Sequence, residues 1–470
     1  NVKIFGAVGD GIADDTGAIQ SAINSLQVSG GKVYFPFGRY KITSTINVPA
    51  NISLVGAGRK LSILVCPVDG LIAILMNQSS LTRTYNEISS IGFEASAINI
   101  TAIKSVLCSM IKFEDLYFAG VLYNFDLDRG NNIQINHILT EGTPTLIAGK
   151  SLFRDTTKND HIYDLQISDY QIRNIGNGVQ SPAIEFNRSV GTFLNEFRSS
   201  DLGQANGILY SGDCQGCKIS NSIIVHSNEY AVKYIMEGVT SPIAMTITDV
   251  DIDQAQVNGV QIDAGHWITV SGGHITTIGQ HGIALGNGNV NDVGNIFILG
   301  VNIVDCANQG IQIAPNTVSF TIFNNHIEQT DCAVYVSNGS SDHYMIQNND
   351  VINLNTQKII DSGTGANKII KDNLGVDDPY KREYVATVVL TLTGGATTEK
   401  VNITIPNGLF GVKPNFGMMS EQTGSVGKLT GYYLFDDAAN SSTTAVFEIA
   451  KNDNTALAAG TYRFGVLIKG

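Results

Sequence analysis

A short apolar run recurs roughly every two dozen residues between Gly207 and Thr356, and each copy opens on a small residue. The copies read GILYSG from Gly207, AVKYIM from Ala231, GVQIDA from Gly259, GIALGN from Gly282, GIQIAP from Gly310 and AVYVSN from Ala333. Their starts are spaced by 24, 28, 23, 28 and 23 residues. A repeat of this size specifies a solenoid, in which each unit buries its apolar face only by stacking on its neighbours. Such a chain offers a long ridged wall, a surface suited to a polymer rather than to a small enclosed ligand.

The repeat is built of strands. Each unit alternates apolar and polar residues with period two and lacks runs of helix-forming Leu, Ala, Lys and Glu. A second alignment without gaps joins ISNSII from Ile219, ITDVDI from Ile247, VSGGHI from Val270, ILGVNI from Ile298, IFNNHI from Ile322 and IQNNDV from Ile346. Its third positions are Asn221, Asp249, Gly272, Gly300, Asn324 and Asn348. These types tolerate left-handed backbone, so the position predicts a tight bend with a stacked ladder of bending residues. Each coil then holds three strands, for example Gly259 to Asp263, Trp267 to Val270 and His274 to Ile278. The expected core positions are Ile208, Val232, Val260, Ile283, Ile311 and Val334 in the first strand. In the third strand they are Ile224, Ile252, Ile275, Ile303, Ile327 and Val351. The fold class is all-β: a right-handed parallel β-helix with coils about 4.8 Å apart.

A chain of 470 residues is long for one domain, but a solenoid grows without splitting. The net charge of −13 argues against nucleic acid as a partner. No stretch is long and apolar enough for a membrane-spanning helix, and membrane insertion is not expected. Cys214 and Cys217 form the single CxxC among six cysteines. A structural zinc site needs further ligands at matching spacing, so buried thiols are expected rather than a metal, and no cofactor is expected. Residues 1–40 read as an opening segment with a capping helix, residues 41–376 as the β-helix with irregular coils before Asn159, and residues 377–470, beyond the charged break DDPYKRE, as a separate antiparallel β domain for trimerisation or carbohydrate binding.

The opening segment carries a specific pattern. FGAVGDGIADDTGAIQSAINS from Phe5 precedes GGKVYFPFGRYKIT from Gly30. Asp14, Asp15 and Thr16 are placed to cap a helix running to about Leu26, which would plug the solenoid's open end, and Gly30-Gly31 would turn the chain into the strand Lys32 to Phe35. This segment resembles that of the pectate-lyase-like superfamily, especially its phage tailspike, capsule-degrading branch. The resemblance implies a homotrimer that binds and depolymerises bacterial surface polysaccharide by glycoside hydrolysis. It also implies a location on the virion tail, reached through an anchor that would precede Asn1. A bacterial pectinase-like hydrolase or lyase, and a non-catalytic glycan-binding spike, are the alternatives.

Hydrolysis requires two carboxyl groups about 5–9.5 Å apart, which neighbouring coils can supply. Two outward clusters meet that condition. On the first strand and its turn stand Asp263 and Glu237 as catalytic candidates, with Asp213, Glu185, Lys233, His266 and Trp267 to bind substrate. The indole is a natural platform for a pyranose ring. Resembling enzymes commonly work along this sheet. On the third strand stand Asp251 and Asp253, with His274 as the equivalent of Asp251 one coil on and Asp201 two coils back. QHGIALG from Gln280 resembles the GHG segment of polygalacturonases, but the positions that should hold aspartates are Tyr230, Val257 and Asn258. The motif therefore fails, and His281 reads as a turn residue.

Overall fold

The computed structural model describes the chain apart from residues 144–152, 156–160, 176–181, 201, 203–205, 236–243, 287–292, 356–357, 375–382, 405–415, 424–428, 435–440, 442–443, 452–456, 458–459 and 470. Two compact units divide it: residues 1–345 with 349–368, and residues 346–348 with 369–470.

The first unit is a parallel β-helix. Every pairing described between its successive coils is parallel, as in Ile208↔Val232, Val232↔Val260, Val260↔Ile283, Ile283↔Ile311 and Ile311↔Val334. All six expected first-strand core residues and all six third-strand core residues are buried. The small residue that opens each first strand has a steric cause. A Cβ on Gly259 would lie 2.7 Å from Ile275 Cγ2, on Gly282 2.6 Å from Ile303 Cγ2, and on Gly310 2.6 Å from Ile327 Cγ2. The corner between the third and first sheets is closed by that isoleucine, and Ala231 and Ala333 show that a methyl is the largest group found there.

All six predicted bend residues are left-handed, with φ of 49° at Asn221, 52° at Asp249, 63° at Gly272 and Gly300, and 57° at Asn324 and Asn348. Asn221 donates from Nδ2 to Asn195 Oδ1 at 2.9 Å, whereas in the coils bent at Asn324 and Asn348 the hydrogen-bonded asparagine sits one residue later than expected. Asn325 and Asn349 are buried, and Asn325 Nδ2 donates to Asn349 Oδ1 at 2.9 Å. Asn325 Nδ2 also donates to the carbonyl of Ile298 at 3.0 Å, and Asn349 Nδ2 to that of Ile322 at 3.1 Å. The bend residue supplies the conformation, and the asparagine after it satisfies backbone groups that the bend leaves open.

The opening segment folds as expected, with one change at its cap. The helix spans Thr16–Asn24 and buries Thr16, Ile19, Ala22 and Ile23. Its capping carboxylate is Asp14, whose Oδ1 accepts from Thr16 N at 3.1 Å and Thr16 Oγ1 at 2.6 Å. Asp15 is buried and turns the other way, accepting from the amides of Val8 at 2.6 Å and Gly9 at 3.1 Å. The strand after the helix is Gly31–Phe35, and an earlier strand, Asp10–Asp14, pairs in parallel with Gly38–Lys41. Irregularity before Asn159 takes the form of long strands: Ile72–Arg83, Thr101–Ala119 and Tyr123–Thr143 run on round the bends.

The second unit contains an antiparallel sheet of six strands ordered 383–392, 460–469, 416–423, 429–433, 444–451 and 398–404. Its core holds Ile403, Phe447, Ile449, Phe464, Val466 and Ile468. The charged break from Asp377 to Arg382 lies outside the described residues. All six cysteines are buried, and burial pushes the Cys66 and Cys306 thiols up to about 12. Among the described residues no helix is long and apolar enough to cross a membrane, and no cluster of His, Cys, Asp and Glu is arranged to hold a metal.

Candidate functional site on the outer wall of the first sheet

Strand register builds this wall one row at a time. The outward row of the first sheet includes Lys104 and Asp126, and farther along Glu185, Leu209, Lys233 and Gln261 on successive coils. Asp263 follows two residues after Gln261, so it points outward on the same coil. Lys233 Nζ lies 3.3 Å from Asp263 Oδ2, with the two side chains only 19% and 11% exposed. Gln261 Nε2 donates to the other oxygen, Oδ1, at 2.7 Å. Asp263 is thus fixed by a cation from the preceding coil and an amide from its own.

A row of polar residues sits just before the small corner residue: Asn206, Tyr230, Asn258 and His281. The Lys233 ammonium lies 5.4 Å from the centre of the Tyr230 ring. Burial, and next the charge of Glu229, push the Tyr230 phenol well above its ordinary range, so it stays protonated at neutral pH. Asn206 Nδ2 donates to Glu229 Oε2 at 3.2 Å, and Asn258 Nδ2 to Gln261 Oε1 at 3.2 Å. Sequence reasoning singled out Lys233 and Asp263 but assigned no binding role to Tyr230, Asn258 or Gln261. The polar residue repeated one position before each small residue was the available signal.

The remaining first-sheet candidates are spread along the wall. Glu185 occupies the row two coils before Lys233. Asp213 lies in the turn after Asn206–Ser211, with Oδ2 3.2 Å from His161 Nε2 and Oδ1 accepting from Gln215 Nε2 at 2.7 Å. His161, 52 residues away along the chain, could not have been found from spacing. Glu237 lies outside the described residues. Trp267 is 52% exposed and left-handed, at φ 62°, within the strand Gly265–Ser271, which begins two residues before the expected Trp267. Among the described residues no ring contact or hydrogen bond joins Trp267 to Asp263. His266 faces Gly294 on the next coil, where an added Cβ would meet its Nδ1 at 3.0 Å. His281 opens the strand His281–Leu285 rather than lying in a turn, and its Nδ1 is buried with no hydrogen-bond partner among the described residues. Burial pulls its pKa down.

The third-sheet cluster also assembles, in a different setting. His274 Nδ1 lies 3.0 Å from Asp251 Oδ1, but the side chains are 60% and 52% exposed. Thr276 Oγ1 donates to Asp253 Oδ1 at 3.1 Å. The residue two coils before Asp251 in register is Arg198, not Asp201, because Arg198 pairs with Ile223 and Ile223 with Asp251. Asp201 lies outside the described residues. Farther along, His326 sits between Asp350 at 2.9 Å and Glu328 at 3.4 Å.

The first unit is thus a parallel β-helix with a charged, cross-linked outer wall on its first sheet. Residues 1–101 match the family model described as rhamnogalacturonase A/epimerase, pectate lyase-like. The chain is similar to mannuronan C5-epimerase AlgE1 of Azotobacter vinelandii, at 28% identity over 230 residues, covering 46% of this chain and 16% of that protein. It is similar to the pre-neck appendage protein of Bacillus phage phi29 at 39% identity over 64 residues, covering 14% of this chain and 7% of that protein. The chain therefore spans a minor part of the curated relatives it matches. Among solved structures, a tailspike protein of E. coli bacteriophage HK620 superimposes with a TM-score of 0.53 at 12% identity, over 97% of this chain and 90% of that one. A likeness at that identity establishes the fold.

Proposed function

We propose that the chain is a phage tailspike, carried on the virion tail, that binds bacterial surface polysaccharide along the first-sheet wall and cuts it by glycoside hydrolysis. The observation that carries this reading is Asp263, a carboxylate held in one orientation by Lys233 and Gln261 on a wall long enough for several sugar units. A fixed, mostly desolvated carboxylate suits a general base or nucleophile, because its attack geometry needs no reordering. The second carboxyl group would come from Glu237, a candidate on sequence alone, or from Asp213 two coils earlier. Coil spacing of about 4.8 Å brings a group on the adjacent coil into the range of about 5–9.5 Å that glycoside hydrolysis uses. Glu185 and the Tyr230 phenol would hold hydroxyls farther along the wall. The phage and polysaccharide-acting relatives support both the substrate class and the location.

A second reading is favoured by one feature. Lys233, Tyr230 and Asp263 place a cation, a protonated phenol and a carboxylate together, the set that proton abstraction beside a sugar carboxylate would require. This is lyase or epimerase chemistry, and it agrees with the likeness to AlgE1. Mass spectrometry of products separates the readings. Hydrolysis adds one water per cut, a lyase leaves an unsaturated sugar end, an epimerase changes configuration without shortening the chain, and a spike that only binds gives none of these. In the tailspike reading the chain is a homotrimer with the 377–470 domain contributing to association. A monomer by light scattering at micromolar concentration would refute that part.

A further inference from the structure

A second recess lies at the other end of the solenoid, on a different sheet. The third-sheet row containing Asp251 begins Asp10, Arg39, Ile63, Gly92, Tyr117. Arg39 and Tyr117 flank a hollow in that row, floored by buried Ile63. The recess so formed has a volume of about 410 Å³, and Phe37 and Leu61 lie along its rim. Three coil steps from Arg39 to Tyr117 give it a length of about 14 Å. Five further coils separate Tyr117 from Asp251, so it stands about 24 Å short of the coil that carries Lys233.

Its polar groups are already matched with one another. Arg39 and Glu94 form a two-pronged pair across two coils, Nη1 to Oε1 at 3.1 Å and Nη2 to Oε2 at 2.5 Å. Lys60 Nζ lies 2.9 Å from Glu141 Oε2 and 4.4 Å from the centre of the Tyr117 ring. The Asp10 carboxylate accepts from the amides of Ile12 at 2.8 Å and Ala13 at 2.9 Å. The lining charges are two acids, Asp10 and Glu94, and two bases, Arg39 and Lys60, so an anion would find no unmatched cation. Phe37 nevertheless stands 71% exposed at the rim, an apolar face with nothing on it.

We infer that this recess binds a short neutral oligosaccharide, one pyranose face lying on Phe37 and its hydroxyls bridging the Arg39–Glu94 pair. A guanidinium carries five donors and a carboxylate four acceptor sites, so a pair that uses two bonds keeps capacity for vicinal hydroxyls on both partners. Aromatic stacking supplies the apolar half of the recognition. An acidic sugar would instead meet Glu94 and Asp10, with the Arg39 and Lys60 cations already committed to Glu94 and Glu141. The inference does not require the first-sheet wall to be catalytic, since binding here involves none of its residues.

The test is calorimetric titration of the intact chain with cellotriose, maltotriose and trigalacturonate. At least one neutral trisaccharide should bind, and trigalacturonate should bind more weakly. Phe37→Ala should weaken the neutral ligand by about fivefold or more. Glu94→Gln should weaken it as well, while Asp263→Asn should leave it unchanged. No binding by either neutral trisaccharide overturns the inference, as does equal or tighter binding of trigalacturonate. Binding that survives Phe37→Ala but is lost in Asp263→Asn also overturns it, and would place the sugar on the first-sheet wall, leaving the reading of that wall intact.

Discussion

The outer walls of the first and third sheets both pair a carboxylate with a cationic or imidazole side chain from an adjacent coil, yet the two pairs differ in their surroundings. Lys233 and Asp263 are mostly buried, and Gln261 and the Tyr230 ring close round them. His274 and Asp251 stand more than half in solvent. An exposed pair is screened and contributes little to stability, whereas a half-buried one is held in place and raises a cost when either partner is removed. Fixed geometry is what catalysis needs and what a solvated surface does not supply. The contrast favours the first sheet as the working wall and the third-sheet pair as solvated surface.

The largest expected break in this comparison is in rate. Asp263→Asn should lower polysaccharide cleavage by about 100- to 10,000-fold, the usual scale for losing an acid–base group. Asp251→Asn should stay within about twofold, and a reversal of that order in a reducing-end assay would move the site to the third sheet. The next effect is on stability. Lys233→Met leaves the Asp263 carboxylate without its cation and should cost about 1–3 kcal/mol in urea unfolding, against under about 0.5 kcal/mol for His274→Ala. A smaller effect concerns binding. Trp267→Ala should weaken a long oligosaccharide by about 1 kcal/mol, the scale of one aromatic contact, and unchanged affinity would remove the indole from the wall's contacts.

The smallest effect is on pH dependence. Burial lowers the His281 pKa, so the folded state resists a proton that the unfolded state accepts near pH 6.5. Stability from this group is fully present above that value and declines as pH falls through it toward the lower folded pKa. Thermal midpoints recorded from pH 7.5 to 5 should fall less steeply for His281→Asn than for the parent chain, and parallel curves would exclude the residue as a cause.

Legibility from sequence followed the distance over which a constraint acts. The corner glycines, left-handed bends and inward isoleucines recur at fixed places in each coil, so alignment of the repeats found them. The ladder was placed one residue early because Asn324-Asn325 and Asn348-Asn349 are identical pairs, and residue type does not say which asparagine turns inward. Lys233 and Asp263 were found because they lie on well-aligned strands. Arg198 was missed as the register neighbour two coils before Asp251, since turn lengths vary between coils. The contact of His161 with Asp213 joins residues outside the strands, where no local pattern fixes the register. The Arg39–Glu94 recess was missed for a similar reason: its lining residues come from separate coils in the irregular opening part of the solenoid, where no repeat aligns them.

The sealed corner at Gly259, Gly282 and Gly310 also bears on how such a chain can change over generations. Because each corner is completed by an isoleucine of its own coil and a carbonyl of the next, a whole coil can be gained or lost while every remaining seam keeps its fit. A side chain larger than a methyl at that seam would pry two sheets apart. The turns after each first strand carry no such restriction, and their unequal lengths already account for the uneven spacing of the repeat. Variation is thereby channelled into loop sequence and coil number, the two quantities that set the chemistry of the outer wall and its length.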